Sequence, residues 1–240
     1  MNKNSNTYIV VYSVVMVVIV AVLLSVTALS LQQRQNNNRL NEKKQSILSS
    51  LSASDRNFDE YIDAYAVDAS GQRVQVADIF ALTEDLKGAF EAGTYPVFEA
   101  SDGRVVVPVT GNGLWGPIWG YVALESDMST IAGVVFDHSG ETPGLGAEIA
   151  TAKHQAQYVG KTIFEGDEFT SVRLRKGGAV DAAHEVDAIS GGTKTSDGVT
   201  AMLRNSLQNY IPFFAGKRAA AEHEECTCPA DGEDNAESNE

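Results

Sequence analysis

An uncharged, apolar run near the N-terminus constrains this chain more than any other feature. Residues 4–33 contain no Asp, Glu, Lys or Arg, and residues 8–31 are almost wholly apolar. The 24 residues of that run would form a helix of about 36 Å, longer than the roughly 30 Å hydrocarbon core of a bilayer. Inside lipid the backbone must satisfy its own hydrogen bonds, which favours a helix even for a Val-rich segment. We therefore predict a single transmembrane helix over residues 8–31.

The charges around this span bear on its processing and its orientation. A cleaved signal peptide is the alternative interpretation, but its apolar region is about 7–15 residues long and follows a basic segment, so an uncleaved anchor is favoured. Lys3 is the only charged side chain before the span, whereas Arg34, Arg39, Lys43 and Lys44 follow it. Taken alone, this asymmetry places the large domain in the cytoplasm. Because long domains can translocate against such a bias, the charge count does not decide the orientation.

The rest of the chain is acidic. The sequence has 18 Lys and Arg against 32 Asp and Glu, a net charge of −14, and residues 222–240 hold eight of the acidic side chains and no Lys or Arg. Phosphate contacts need clustered basic side chains, so this balance excludes a nucleic-acid binder. At 43% hydrophobic residues the composition is that of a globular domain behind an anchor, which excludes a cytosolic single-domain enzyme.

The hydrophobic pattern predicts an α+β domain with one core and a mostly antiparallel sheet flanked by helices. We expect an N-terminal tail at residues 1–7, the transmembrane helix at 8–31, a stalk helix at 32–55, the domain at 56–216 and an acidic disordered tail at 217–240. Short β runs predict strands at 104–110, 119–124, 131–137 and 170–176. Helical patterns are predicted around Phe58, Ile62 and Tyr65, and over 77–86, 147–159 and 196–213.

Cysteine and histidine residues predict no metal site. Cys226 and Cys228 both lie in the predicted tail, which excludes a disulfide framework and a thiolate metal site in the domain. His138, His154 and His184 show no metal-ligand spacing. Each histidine is interpreted as a surface or hydrogen-bonded side chain.

Two Gly-rich segments lie between predicted elements. Residues 112–120 read N-G-L-W-G-P-I-W-G, which indicates either a β-turn with core aromatics or an aromatic wall beside a planar ligand. Residues 137–146 read D-H-S-G-E-T-P-G-L-G and lead from a strand into a helix. That segment is either an ordinary loop or a turn whose backbone N–H groups hold the polar edge of a ligand.

A third Gly-rich segment, D-A-I-S-G-G-T-K-T-S at residues 187–196, points to phosphate. Gly191 and Gly192 expose backbone donors, Ser190 and Thr193 supply hydroxyls, and Lys194 adds positive charge ahead of a predicted helix. The spacing is not that of a nucleoside-triphosphate loop. The absence of G-x-S-x-G argues against a hydrolase that uses Ser190. The residues alone leave a phosphate-bearing ligand and a merely structural loop as alternatives.

These three segments behind one apolar span resemble the NqrC family, the C subunits of the sodium-translocating NADH:quinone oxidoreductases. The G subunit of a related ferredoxin-linked complex shares that family's flavin-binding domain. The family patterns D-x-x-[ST]-G-[AG]-T, E-T-P-G-L-G and G-L-W-G are matched at 187–193, 141–146 and 113–116. The longer pattern G-L-W-G-P-x-x-G-Y, complete through Tyr121, is more similar to the NqrC family than to its ferredoxin-linked relative. The resemblance extends to about residue 215.

The resemblance implies FMN bound covalently to Thr193 through a phosphoester, attached by a flavin transferase during maturation. Asp187 is implied to support flavinylation by positioning the reacting hydroxyl or a metal. The other implied FMN contacts are Ser190, Gly191, Gly192 and Lys194 at the phosphate, Glu141, Thr142, Leu145 and Gly146 at the ring or ribityl chain, and Trp115 beside the ring. Core packing is the alternative for Leu145 and Trp115.

The implied function is an electron relay within a membrane complex that acts as a translocase. No catalytic residue and no independent substrate site are expected in this chain, because NADH and quinone are expected to bind to other subunits. The resemblance places the chain in the bacterial inner membrane as a single-pass subunit with its large domain on the periplasmic side, against the flanking charges. The alternatives are the G subunit of the related complex, a non-redox membrane-anchored binding protein, and a hydrolase that uses Ser190.

Overall fold

The computed structural model describes residues 6–226. Predictions for residues 1–5 and 227–240, including Cys228, lie outside this range. Residue contacts divide the chain into two units, Met1–Gln45 and Ser46–Glu240.

The first unit consists of most of one long helix. Helix α1 runs from Asn6 to Ser50, so the predicted transmembrane and stalk helices are continuous. Within the described range it is the one helix long and apolar enough to cross a membrane, with a mean hydropathy of 3.1 in its most apolar window. Thr27 Oγ1 donates a hydrogen bond to the Leu23 carbonyl at 2.7 Å, which satisfies this hydroxyl within the helix.

The second unit is built on a six-stranded antiparallel sheet. Its strands are β1 Ile62–Asp68, β2 Arg73–Val74, β3 Thr94–Ala100, β4 Val105–Asn112, β5 Pro117–Leu124 and β6 Ile131–His138. Their order across the sheet is β2-β1-β3-β4-β5-β6. Two small sheets accompany it, an antiparallel pair of β7 Phe164–Glu165 with β8 Glu168–Phe169 and a parallel pair of β9 Arg173–Arg175 with β10 Glu185–Asp187.

Short helices and one long C-terminal pair complete this unit. The helices are α2 Phe58–Tyr61, α3 Ile79–Glu84, α4 Leu86–Glu91, α5 Ala152–Gln155, α6 Thr193–Leu207 and α7 Ile211–Cys226, with 3-10 turns at Gly146–Ala150, Ala156–Tyr158 and Gln208–Tyr210. Helices flank an antiparallel sheet, which confirms the predicted α+β fold class.

The main sheet buries both of its faces. In β4, Val105, Val107 and Val109 belong to one apolar cluster, together with side chains of α6, as the alternation of a strand requires. Val106 faces the opposite cluster. That second cluster includes apolar side chains from the C-terminal end of α1, from the turn that follows it and from α2, namely Ile47, Leu48, Leu51, Phe58 and Tyr61. The sheet is therefore the middle of three layers, with an apolar cluster on each face.

Several sequence predictions need correction. The continuous helix predicted over 147–159 is wrong, because Thr151 adopts extended backbone angles (φ −81°, ψ 142°) and separates a 3-10 turn from α5. The helix predicted around Phe58, Ile62 and Tyr65 ends at Tyr61, where β1 begins. The strand predicted over 170–176 is limited to Arg173–Arg175.

The C-terminal helices also differ from their predicted bounds. Helix α6 begins at Thr193, three residues before the predicted start at Ser196. Helix α7 continues to Cys226, so the segment predicted as a disordered tail from residue 217 begins inside a helix.

Candidate functional site

The three Gly-rich segments meet in the folded domain. The first forms the turn between β4 and β5, closed by a hydrogen bond from Gly113 N to the Gly116 carbonyl at 2.8 Å. The second follows β6 and enters the 3-10 turn at Gly146–Ala150. The third follows β10 and enters α6. We refer to them as the tryptophan turn (residues 113–116), the β6 loop (139–146) and the acceptor loop (187–193).

Glu141 connects the β6 loop to the tryptophan turn and to the first turn of α6, which follows the acceptor loop. Its side chain is buried, with 5% of its surface exposed. Oε1 accepts a hydrogen bond from the Trp115 backbone N–H at 2.8 Å, and Oε2 accepts one from Thr195 Oγ1 at 2.5 Å. Burial alone would raise the pKa of Glu141, but the hydrogen bonds from Thr195, Trp115 and Leu114 and the nearby His138 together hold that pKa below its ordinary value. The carboxylate is therefore ionised at neutral pH.

The acceptor loop is fixed to the first turn of α6 by its own hydrogen bonds. Ile189 N donates to Ser196 Oγ at 3.0 Å, Gly192 N donates to the Ile189 carbonyl at 3.0 Å, and Ser196 N donates to the Gly192 carbonyl at 2.9 Å. Gly191 lies at the tip of this closed turn with a φ of +74°, a conformation that glycine adopts without strain. The loop thus presents a hydrogen-bonded tip, Gly191, to solvent.

The Thr193 hydroxyl is available for chemistry. Thr193 is the first residue of α6 and is exposed. Within the described range its side chain has no hydrogen-bond partner. The hydroxyls of Thr195 and Ser196, by contrast, are buried and bonded to Glu141 and to Ile189 N. Among these neighbouring hydroxyls, solvent access therefore favours Thr193.

The beginning of α6 favours an anion. Helix geometry leaves the backbone N–H groups of Thr193, Lys194 and Thr195 without intrahelical acceptors. The first turn contains no acidic side chain, and it carries Lys194, a cation where the helix dipole favours negative charge. A phosphate at this position would accept hydrogen bonds from these N–H groups, and its negative charge would offset the repulsion between Lys194 and the positive end of the helix dipole.

Exposed apolar side chains border the site. Trp115 is 69% exposed and Leu145 is 41% exposed. These two side chains are therefore not packed in the core, which was the alternative interpretation. Leu145 contacts the acceptor loop directly, since a Cβ placed on Gly191 would lie 2.6 Å from Leu145 Cδ2. Large apolar surfaces left in water commonly mark a ligand or partner site.

Other predicted site residues lie at the surface of the acceptor loop, of the first turn of α6 and of the β6 loop. Asp187 is exposed, and its Oδ1 accepts a hydrogen bond from Ala179 N at 2.8 Å. Ser190 and Lys194 are exposed near Thr193 in the sequence. Thr142 is also exposed, and its carbonyl accepts hydrogen bonds from Leu145 N and Ala147 N, which shapes the β6 loop.

Three described histidines bond to groups other than Ser190. Nδ1 of His138 accepts from Glu141 N, His154 contacts the Tyr158 hydroxyl and His184 contacts the Thr162 carbonyl. None of these three forms a Ser-His pair with Ser190. In the part of the chain that the structure describes, no cluster of three or more His, Cys, Asp or Glu is arranged to hold a metal ion.

Sequence reasoning missed Thr195. It lies four and seven residues before Val199 and Met202, on the buried side of α6. A hydroxyl in that register is on the apolar stripe of the helix and must find a buried partner. That spacing was the available signal for its bond to Glu141.

Comparison with known proteins agrees with this geometry. Residues 113–208, which include all three segments, match the FMN-binding domain family. The fold superposes with a TM-score of 0.70 on the crystal structure of the C subunit of the Na⁺-translocating NADH-quinone reductase of Parabacteroides distasonis, at 44% identity over 77% of this chain and 96% of that one. The chain therefore belongs to the NqrC family, the C subunits of the Na⁺-translocating NADH-quinone reductases.

Other relatives support the same assignment. The structure of NqrC of Shewanella oneidensis has a TM-score of 0.63 and 28% identity, over 75% of this chain and 97% of that one. The C subunit of the Na⁺-translocating NADH-quinone reductase of Vibrio vulnificus is 38% identical over 136 residues, 55% of this chain and 53% of that protein. The chain thus spans about half the length of such curated relatives.

Proposed function

We propose that this chain is the FMN-carrying electron-transfer subunit of a Na⁺-translocating NADH-quinone reductase, with FMN joined to Thr193 by a phosphoester. One observation carries the attachment site: Thr193 presents an exposed hydroxyl, without a hydrogen-bond partner in the described range, at the first residue of α6. The match of residues 113–208 to the FMN-binding domain family supplies the class of ligand.

Attachment requires a flavin transferase and FAD. In this step Thr193 Oγ1 forms a bond to the flavin-side phosphorus, the pyrophosphate P–O bond breaks, AMP leaves, and the hydroxyl proton passes to a base of the transferase. The exposed acceptor loop allows a second protein to reach Thr193. Asp187, an exposed carboxylate at the start of the same loop, is proposed to support this step.

The chain's own groups are proposed to hold the cofactor as follows. Backbone N–H groups at the start of α6, together with Ser190, Gly191 and Lys194, would bind the phosphate. Gly192, predicted as a further contact, is buried and its N–H donates to the Ile189 carbonyl, so it would shape the loop instead. Trp115 and Leu145 would border the isoalloxazine ring, with Thr142 and Gly146 near the ribityl chain. FMN supplies reversible electron-transfer chemistry when bound, and the surrounding contacts tune its potential. No side chain of this domain needs to act as acid or base towards a substrate.

The rest of the proposal is supported by the family and by the apolar helix. We propose that the chain acts within a multi-subunit translocase, anchored in the bacterial inner membrane by residues 8–31 and with the domain 56–216 on the periplasmic side. The Lys and Arg residues after the span oppose this orientation, but large domains can translocate against that bias. The family assignment disfavours the G subunit of the related ferredoxin-linked complex, and co-purified partners of the full chain would separate these two alternatives.

In-gel flavin fluorescence tests this proposal. The full chain is co-expressed with a flavin transferase, denatured, and separated by electrophoresis. We expect a fluorescent wild-type band, a dark Thr193→Ala band, and a fluorescent Ser126→Ala band as the control, because Ser126 is exposed and lies outside the three segments. A dark wild-type band would contradict the flavin assignment, and a fluorescent Thr193→Ala band would contradict the attachment site.

A further inference from the structure

Glu141 is the least exposed acidic side chain at the candidate site, and each of its carboxylate oxygens is hydrogen-bonded to another part of the domain. Its two carboxylate oxygens accept from Trp115 N and Thr195 Oγ1, and its own backbone N–H donates to His138 Nδ1 at 3.3 Å. Its carboxylate therefore joins the loop that carries it to a turn and a helix whose bonded residues are 26 and 54 positions away in the sequence.

Two glycines of the site make room for this carboxylate. A Cβ placed on Gly113 would collide with Glu141 Oε1, and a Cβ placed on Gly146 would collide with Oε2. The same Cβ on Gly146 would lie 2.5 Å from Thr195 Oγ1. The glycines in the tryptophan turn and at the end of the β6 loop are thus explained by packing against Glu141, whatever the ligand.

We propose that Glu141 is a positioning residue, which holds the tryptophan turn and the first turn of α6 in fixed relation through Trp115 N and Thr195 Oγ1, so that Trp115 and Thr193 are pre-arranged for the flavin. The inference about the flavin rests on the proposed function. The inference about the arrangement of the three segments stands on the contacts of Glu141 itself. Glu141 thus acts through these segments and does not need to touch the ring.

The donors around Glu141 suit an ionised acceptor. Trp115 N–H can only donate, and the Thr195 hydroxyl donates to the second oxygen. A glutamine preserves the shape, but its amide N–H2 would face the Thr195 hydroxyl, which would have to reverse and accept, and the charge that strengthens both bonds is lost. An alanine leaves both donors without the carboxylate, which is the more costly case.

Thr195 provides a cleaner probe than Glu141, because the charge remains. Thr195→Val keeps the volume of the side chain and removes its hydroxyl, whereas Thr195→Ser keeps the hydroxyl. Glu148→Gln serves as the charge control, because Glu148 lies in the neighbouring 3-10 turn and its side chain makes no hydrogen bond within the described range.

Two readouts on the full chain test the proposal. The first is acrylamide quenching of Trp115 emission in the flavin-free chain, in a Trp119→Phe background that leaves Trp115 as the remaining tryptophan. The second is the initial rate of covalent flavin incorporation by the transferase, measured well below the unfolding midpoint of each variant. The first readout does not depend on flavin, so a wild-type chain that takes up no flavin would reject the proposed function while leaving the Glu141 test intact.

We expect Glu141→Gln and Thr195→Val to change the quenching of Trp115 and to slow flavin incorporation about tenfold, because small misplacements of a reacting group are costly. Thr195→Ser should restore both readouts to within about twofold of wild type, and Glu148→Gln should leave them unchanged. Quenching of Trp115 that is the same in wild type, Glu141→Gln and Thr195→Val would overturn the proposal. So would a Thr195→Ser variant that behaves like Thr195→Val.

Discussion

Gly191 packs against Leu145 so closely that any Cβ on Gly191 would lie 2.6 Å from Leu145 Cδ2. The φ of Gly191 is +74°, which other residues adopt only with strain. The tip of the acceptor loop and the end of the β6 loop are therefore in close contact. The positive φ requires glycine at this position, and a Cβ there would also displace the end of the Leu145 side chain.

Gly191→Ala should destabilise the domain by about 1–3 kcal/mol, chiefly because it adds backbone strain at a positive φ and also because the end of the Leu145 side chain must move. Thermal unfolding of the flavin-free chain measures this change. The matched control is Gly140→Ala, since a Cβ on Gly140 would meet nothing within 4 Å. Equal unfolding midpoints for the two variants would contradict the need for glycine at position 191.

Gly198→Ala should destabilise the domain although alanine is the better helix former. A Cβ on Gly198 would overlap the Asn112 carbonyl and lie 3.4 Å from Gly113 Cα, so α6 would have to move away from the tryptophan turn. We expect a net loss of about 1–3 kcal/mol in chemical unfolding. Gly216→Ala, in α7 with nothing within 4 Å of its Cβ position, should instead be neutral or stabilising by up to about 1 kcal/mol. A stabilised Gly198→Ala variant would show that α6 does not depend on this close approach.

Trp115→Ala should change the flavin environment without changing the fold. Because Trp115 is largely exposed, we expect a stability change within about 0.5 kcal/mol. An indole stacked near the isoalloxazine ring would quench flavin emission, so emission from the native flavinylated chain should rise in the variant. Leu114→Ala is the control, an exposed and non-aromatic neighbour in the same turn. Unchanged emission in Trp115→Ala would place this side chain away from the ring.

His154 should make stability depend on pH. Burial lowers the pKa of His154 to about 4 from its usual value of 6.5, so the unfolded chain takes up a proton at a higher pH than the folded chain does. The contribution of neutral His154 is complete above pH 6.5 and is lost as pH falls towards 4.

Unfolding of wild type and His154→Gln from about pH 7 to about 4.5 measures this contribution, and the wild type should lose on the order of 2 kcal/mol more than the variant. Parallel profiles for the two proteins would contradict a buried neutral histidine.

The central strands of the sheet were predictable from sequence because each has a clear apolar pattern of its own. β4, β5 and β6 consist of alternating or continuous apolar residues between glycine-rich turns, and the predicted bounds lie within two residues of those observed. β1 and β3 were not predicted. β1 contains Ala and Asp residues of low β propensity. β3 contains Pro96, tolerated because β4 pairs with β3 only at Phe98 and Glu99.

The sequence predicted which loops form the candidate site, but it did not predict the hydrogen bonds that connect them. The glycine patterns and exposed hydroxyls of the acceptor loop indicated a phosphate site, and the fold brings that loop to the β6 loop and the tryptophan turn. The partners of Glu141 depend on long-range packing: Thr195 lies 54 residues away, and no local pattern encodes that pair. The polar position of Thr195 on the apolar stripe of α6 was the one trace of it in the sequence.

The attachment of FMN to Thr193 is the central claim, and peptide mass spectrometry of the flavinylated full chain tests it most directly. Trypsin cleaves after Lys176, Lys194 and Arg204. The peptide 177–194 therefore contains Ser190 and Thr193, whereas the peptide 195–204 contains Thr195 and Ser196. We predict an FMN mass on peptide 177–194, with fragment ions that place it on Thr193. FMN on peptide 195–204 or on Ser190, or no flavin-bearing peptide at all, would contradict the account.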